Sequence, residues 1–162
     1  MFSKGEKILY NPAGVCLIAD IREEEFIGEE MEYYILKQCF KNESTIYVPV
    51  ENDELVARME PLLSPNEVQK LMTEKVPSDV QWISDSKQRT AQYGEIISGK
   101  NRADMIQIIR LLLKHKEDVA STNHKFYASD EKLLGIAKKL IGEEFATVLS
   151  TTLEDVFERM KV

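Results

Sequence analysis

The sequence predicts a segregated α+β protein: an antiparallel β module of about four or five short strands, followed by a bundle of about five helices. Three observations predict it. Turn chemistry recurs roughly every ten residues through the first fifty. After Glu60 the apolar period changes from that of a strand to that of a helix. The helix starts then carry recognisable caps. This division gives two modules, 1–60 and 61–162.

In the first module Lys7 to Tyr10 reads as extended, Asn11-Pro12-Ala13-Gly14 as a turn, and Val15 to Ile21 as a β-branched apolar run. Glu23-Glu24-Glu25 and Phe26-Ile27 lead to Gly28, whose freedom in φ suits a reversal. Met31 to Phe40 is a long strand, turned back by Lys41-Asn42-Glu43-Ser44 into Thr45 to Val50. Pro49 has no N–H, which places its strand at an edge or ends it there. An edge keeps main-chain donors and acceptors with which another chain can pair.

In the second module Ser64-Pro65-Asn66-Glu67 is a capping box opening a helix to about Glu74. Pro77-Ser78-Asp79 breaks the chain, and a second helix is expected to start between Asp79 and Ser84 and to end at Ser98-Gly99, with Gly99 left-handed. Asn101 caps a third, whose buried face is Met105, Ile108, Ile109 and Leu112. Ser129-Asp130-Glu131 caps a fourth, with Leu133, Leu134, Ala137, Leu140 and Ile141 as its apolar stripe, and Thr152 with Asp155 opens a short fifth.

The 162 residues are 43% hydrophobic and 30% charged, the balance of a globular chain with room for one medium core or two small ones. No apolar run approaches the roughly 20 residues of a membrane span, and Met1 to Lys7 lacks an apolar export segment, so a cytoplasmic address is expected. Cys16 and Cys39 fit no metal or redox spacing and are expected to be buried thiols outside any disulfide. The net charge of −7 falls wholly in residues 1–60, with 6 Lys/Arg against 13 Asp/Glu, whereas residues 82–140 hold 11 Lys/Arg against 7 Asp/Glu. Two modules facing different partners follow from that asymmetry.

Motifs for phosphate, nucleotide, acyl or zinc chemistry are missing. His115 and His124 match no usual metal spacing and read as exposed polar residues. Glu23 to Glu25 reads as a solvated hairpin face rather than an acid/base pair. No enzyme, cofactor, metal site or small-molecule substrate is therefore expected.

The chain resembles the CarD/CdnL family over essentially its whole length. The resemblance rests on Phe2-x-x-Gly5-x-Lys7-x-x-Tyr10-x-Pro12-x-Gly14, on Gly28-Glu29 leading to Glu32-Tyr33-Tyr34-Ile35-Leu36, and on Tyr47-Val48-Pro49-Val50-Glu51-Asn52. Ser98-Gly99 and Ser129-Asp130-Glu131-Lys132 continue it. It implies a Tudor-like (SH3-like) β domain that docks on the RNA polymerase β subunit, partly by pairing sheet edges, with Glu24 and Thr45, Ile46, Tyr47, Val48 and Pro49 at the contact. It further implies that the helical domain sits at the upstream edge of the promoter bubble, with Trp82 as a minor-groove wedge and Lys87, Arg89 and Lys125 on phosphates. A monomer is expected, and its own affinity for promoter DNA should be weak and polymerase-assisted.

The sequence also departs from the family. Studied members carry Arg where Glu24 and Tyr47 stand here, and basic residues where Ile83-Ser84-Asp85 follows Trp82. A protein-interaction module that never touches DNA is the second reading. A partly exposed indole beside Lys87 and Arg89 favours the first reading, and a buried one the second.

Overall fold

The structure is a computed structural model that describes residues 1–41, 44–75 and 77–162. The chain divides into two compact units, Met1–Leu63 and Ser64–Val162.

The first unit is a five-stranded antiparallel sheet: β1 (Lys7–Tyr10), β2 (Gly14–Phe26), β3 (Glu29–Gln38), β4 (Thr45–Pro49) and β5 (Met59–Pro61). Its spatial order is β4-β3-β2-β1-β5, so β4 is an edge, as the proline implied. The short strand β5 and the single turn α1 (Asp53–Val56), capped by Asn52, were not foreseen. Alternation puts Ile8, Tyr10, Cys16, Ile18, Tyr34, Leu36 and Val48 on one face, where Met59 of β5 joins them. A register shift between Ile18 and Asp20 inserts one extra residue, so Ile21 regains the face that Ile18 occupies. Cys16 is buried there, but Cys39, just past the end of β3, is exposed, contrary to expectation.

The strands β2 and β3 turn through Ile27 (φ 53°) and Gly28 (φ 78°), between the paired residues Phe26 and Glu29. Both central residues lie at positive φ, the two-residue turn that matches strand twist. Gly28 was anticipated, but a β-branched residue at positive φ was not, and Ile27 stands fully exposed at the tip. The end of this ribbon carries Glu23 opposite Glu32 and Glu25 opposite Glu30, two like-charge cross-strand pairs. The turn expected at 41–44 falls partly outside the described residues.

The second unit comprises α2 (Pro65–Thr73), α3 (Ser86–Ile97), α4 (Arg102–Ala120), α5 (Ala128–Val148) and α6 (Leu153–Met160). The capping box of α2 is closed in both directions: Glu67 N donates to Ser64 Oγ at 3.2 Å, and Ser64 N donates to Glu67 Oε2 at 2.8 Å. Asn101 and Thr152 cap α4 and α6 as expected. The foreseen apolar stripes of α4 and α5 are all buried. No described helix is long and apolar enough to cross a membrane.

Three expectations are corrected here. Helix α3 starts later than Asp79–Ser84, with Asp85 as its N-cap, and the carbonyls of Gln81 and Ile83 before it are bound by the Tyr93 and Arg89 side chains of α3 itself. Gly99 does not take the left-handed conformation, since α3 ends on Ser98 in a right-handed one. Helix α5 begins at Ala128 without a side-chain cap, and Asp130 lies inside it, facing Arg89.

Backbone and side-chain bonds from Ser64 hold the Glu67 carboxyl below the usual glutamate range. Its stabilising contribution is therefore present above the ordinary glutamate pKa and lost as the pH falls through the lowered one. Glu67→Gln should lower the urea midpoint of the helical unit at neutral pH, with the difference vanishing in acid. Ser64→Ala should cost about 1 kcal/mol at neutral pH.

Candidate functional site

Each unit carries one candidate surface, and each is built by local bonding that the sequence only partly discloses. On the sheet it is the β4 edge. In the antiparallel β3–β4 ladder, Val50 N donates to Glu32 O at 3.0 Å, and the register pairs Val48 with Tyr34 and Tyr47 with Ile35. Hydrogen-bonded and non-bonded pairs alternate, so Ile46 and Val48 turn their N–H and C=O toward β3, and Thr45 and Tyr47 turn theirs outward. The Pro49 carbonyl also lies on the outward side, where it accepts from Asn52 N at 3.0 Å.

This parity divides the residues expected at the polymerase contact into inward and outward sets. Val48 is wholly buried in the core face and Ile46 is packed against it, so neither side chain nor main chain of these two is offered to a partner. Thr45 and Tyr47 remain, and the Tyr47 side chain projects to the opposite face of the sheet, 39% exposed. Its ring lies 5.1 Å from Phe26 and 6.1 Å from Tyr33, with Phe26 5.2 Å from Tyr33, all near-perpendicular. Glu24 is on this face too, but its carboxylate is taken by Arg22 Nε, and Arg22 also bonds Asp20. Phe26 was missed from sequence, since only the register across the Ile27-Gly28 turn brings it onto the Tyr47 face.

In the helical unit the candidate surface centres on Trp82, within the irregular segment 78–85. Almost every residue of that segment is tied down. Ser78 Oγ donates to Asp104 Oδ1 at 2.7 Å, Gln107 Nε2 to Val80 O at 3.4 Å, and the Tyr93 hydroxyl to Gln81 O at 2.6 Å. Arg89 Nη1 donates to the carbonyls of Ile83 at 2.8 Å and Ser84 at 3.3 Å. Burial pushes the Tyr93 phenol above its usual range.

Arg89 thus differs from what the sequence led us to expect. Its side chain is 2% exposed, and Nε and Nη2 form a bidentate pair with the fully buried Asp130 carboxylate at 2.8 and 2.6 Å. The bond to Asp130 is the main reason its pKa is raised. A guanidinium so enclosed is not a phosphate contact, because reaching DNA would strand the Asp130 charge in the interior.

Trp82 is half-buried. The Arg89 guanidinium lies 4.5 Å from the indole centre, the His115 ring 4.4 Å from it at a 36° tilt, and Tyr93 meets it edge-on at 6.5 Å. His115, expected as an exposed polar residue, is therefore part of a stack that continues to Phe126 at 5.9 Å. An open pocket of about 250 Å³ beside the indole is lined by Trp82, Leu111, Lys114, His115 and Asp118. Lys87 and Lys125 are exposed cations on the same unit, as is Lys114, which the sequence reading passed over. No group of three or more His, Cys, Asp or Glu among the described residues could hold a metal ion.

Residues 2–61 match the family model of the CarD-like/TRCF RID domain. The N-terminal unit is thus similar to the CarD-like/TRCF RID domain. Its Tudor-like fold is the five-stranded sheet described above. Over nearly its full length the chain is also similar to Bacillus subtilis "Putative transcription factor YdeB", with 22% identity over 156 residues, 96% of this chain and 97% of that one.

The burial of Arg89 and the exposure of Lys87 make opposite predictions. Arg89→Ala leaves the Asp130 charge unpaired and should destabilise the helical unit by about 3–5 kcal/mol, read from denaturant unfolding. Lys87→Ala should stay within about 0.5 kcal/mol of the parent.

Proposed function

We propose that the chain is a transcription regulator that docks through its sheet unit on the RNA polymerase β subunit and uses its helical unit at the upstream edge of the promoter bubble, where Trp82 hinders reclosure. The observation that carries the reading is the open β4 edge. Within residues matched by a polymerase-interacting domain family, it offers outward main-chain groups at Thr45 and Tyr47 beside the exposed Tyr47–Phe26 aromatic pair. The similarity to a named transcription factor supports the same class of role. In this reading 1–63 is the docking module and 64–162 the promoter-proximal one, with Lys87, Lys114 and Lys125 left as phosphate contacts once Arg89 is removed.

A second reading, in which the helical unit binds protein rather than DNA, is favoured by the Trp82 stack. An indole flanked by Arg89 and His115 has much of its surface already engaged. Charge bears on the choice as well: residues 61–162 balance at 15 Lys/Arg against 15 Asp/Glu, so unassisted duplex binding should be weak at physiological salt.

Binding of the purified protein to the polymerase β subunit, and the lifetime of open promoter complexes, test these readings together. Thr45→Pro deletes an outward N–H without touching the β3 ladder, so it should leave the fold intact and weaken docking. Tyr47→Glu should weaken docking by about 10- to 30-fold. Unchanged affinity in both variants would refute docking at this edge. Trp82→Ala should shorten the open-complex lifetime with β-subunit affinity unchanged, whereas a normal lifetime would leave the protein-binding reading in place.

A further inference from the structure

Trp82 lies in a segment with no helix or strand of its own, yet side chains of α3 bond the main chain on both sides of it. Arg89 meets four residues through five bonds or contacts. Two of its nitrogens grip Asp130 on α5, a third reaches the Ile83 and Ser84 carbonyls, and the guanidinium lies 4.5 Å from the Trp82 ring centre. A link between α3 and α5 needs only the first pair. The two carbonyl bonds close on the residues that immediately follow Trp82, and Tyr93, one turn further along α3, closes on Gln81 immediately before it. The indole is thus bracketed on both sides by side chains of the same helix.

We infer that Arg89, anchored by Asp130, is a positioning residue that fixes the Trp82 segment in its working conformation before any partner arrives. This inference rests on the proposed role of Trp82. Residues 78–85 make no helix or strand of their own, so their main-chain groups must be satisfied from outside. A planar guanidinium with five N–H donors can hold a carboxylate bidentately and still reach two carbonyls, whereas a lysine ammonium, with three donors at one point, cannot. The expected gain is pre-organisation: the ordering of Trp82 is completed in the free protein and need not be supplied on binding.

Arg89→Met alone strands the Asp130 carboxylate, so the test uses the full chain with the double change Arg89→Met/Asp130→Leu. Exchanging a buried ion pair for apolar side chains of similar volume often leaves stability unchanged or raises it. Trp82 is the only tryptophan, so intrinsic fluorescence of the free protein reports on this segment alone. We expect cooperative unfolding to be retained, Trp82 emission to shift to longer wavelength, and acrylamide quenching to increase. β-subunit affinity should be unchanged, while open-complex lifetime falls by roughly 2- to 30-fold, the size of effect seen when a residue acts through another. Arg89→Lys should show the same spectral shift despite keeping its charge.

A stable double variant with parental emission, quenching and lifetime would overturn the inference and leave the pair as a link between helices. So would an Arg89→Lys protein with parental emission. If the spectrum shifts but neither the double variant nor Trp82→Ala changes the lifetime, the positioning stands and the promoter role of Trp82 fails.

Discussion

The buried Arg89–Asp130 pair is the constraint on which the helical unit turns. An ion pair in an interior gives up two hydration shells, and such a loss is offset only when geometry is good and the remaining donors are used. Here they are used: two bonds on Asp130, two on main-chain carbonyls, and no buried side-chain nitrogen or oxygen among the described residues is left without a partner. Arg102 and Glu144 repeat the device between α4 and α5, with Arg102 Nε and Nη2 at 2.8 and 2.9 Å from the carboxylate. Helix α5 therefore supplies both anions, and its neighbours α3 and α4 are each fixed to it by a directional bond as well as by apolar packing. The irregular stretch before α3 inherits its shape from the first of these anchors.

The sheet unit depends on a different constraint, the parity of an antiparallel ladder. One extra residue near Ala19 resets which side chains of β2 face the core, and the sum of the β3–β4 register decides which main-chain groups of β4 look outward. Parity separates neighbours that composition treats alike. Tyr47 turns both its backbone outward and its ring to the far face, and Val48, one residue on, does neither.

Much of the fold was legible because its signals are local. The Ser64–Glu67 box, the Asn101 and Thr152 caps and the apolar stripes of α4 and α5 all state their structure within a few residues. The site was less legible because its decisive contacts span large separations. Arg89 reads as a surface cation until Asp130, 41 residues later, is brought against it, and His115 as a polar residue until it meets Trp82. The same long-range pairing explains why Ser129-Asp130-Glu131 resembled a cap: an acid at a helix start is what capping looks like, and only the fold shows that this one faces inward. The inward facing of Ile46 and Val48 was not legible for a narrower reason, since a run of strand residues carries no mark of which main-chain groups point outward.

The shortness of the β4 edge bears on how copies of this protein treat one another. A sheet edge with open N–H groups is the usual seed for strand-by-strand aggregation. Along β4 only Thr45 and Tyr47 offer outward donors, Pro49 offers none, and its carbonyl is already taken. Beside the Pro49 end of β4, the ribbon between Glu23 and Glu32 confronts any second copy with its own opposed carboxylates. An incoming strand without charge complementary to that ribbon gains two rungs of ladder and meets repulsion beyond them. Two outward rungs set beside like charges give a second copy little to pair with along this edge.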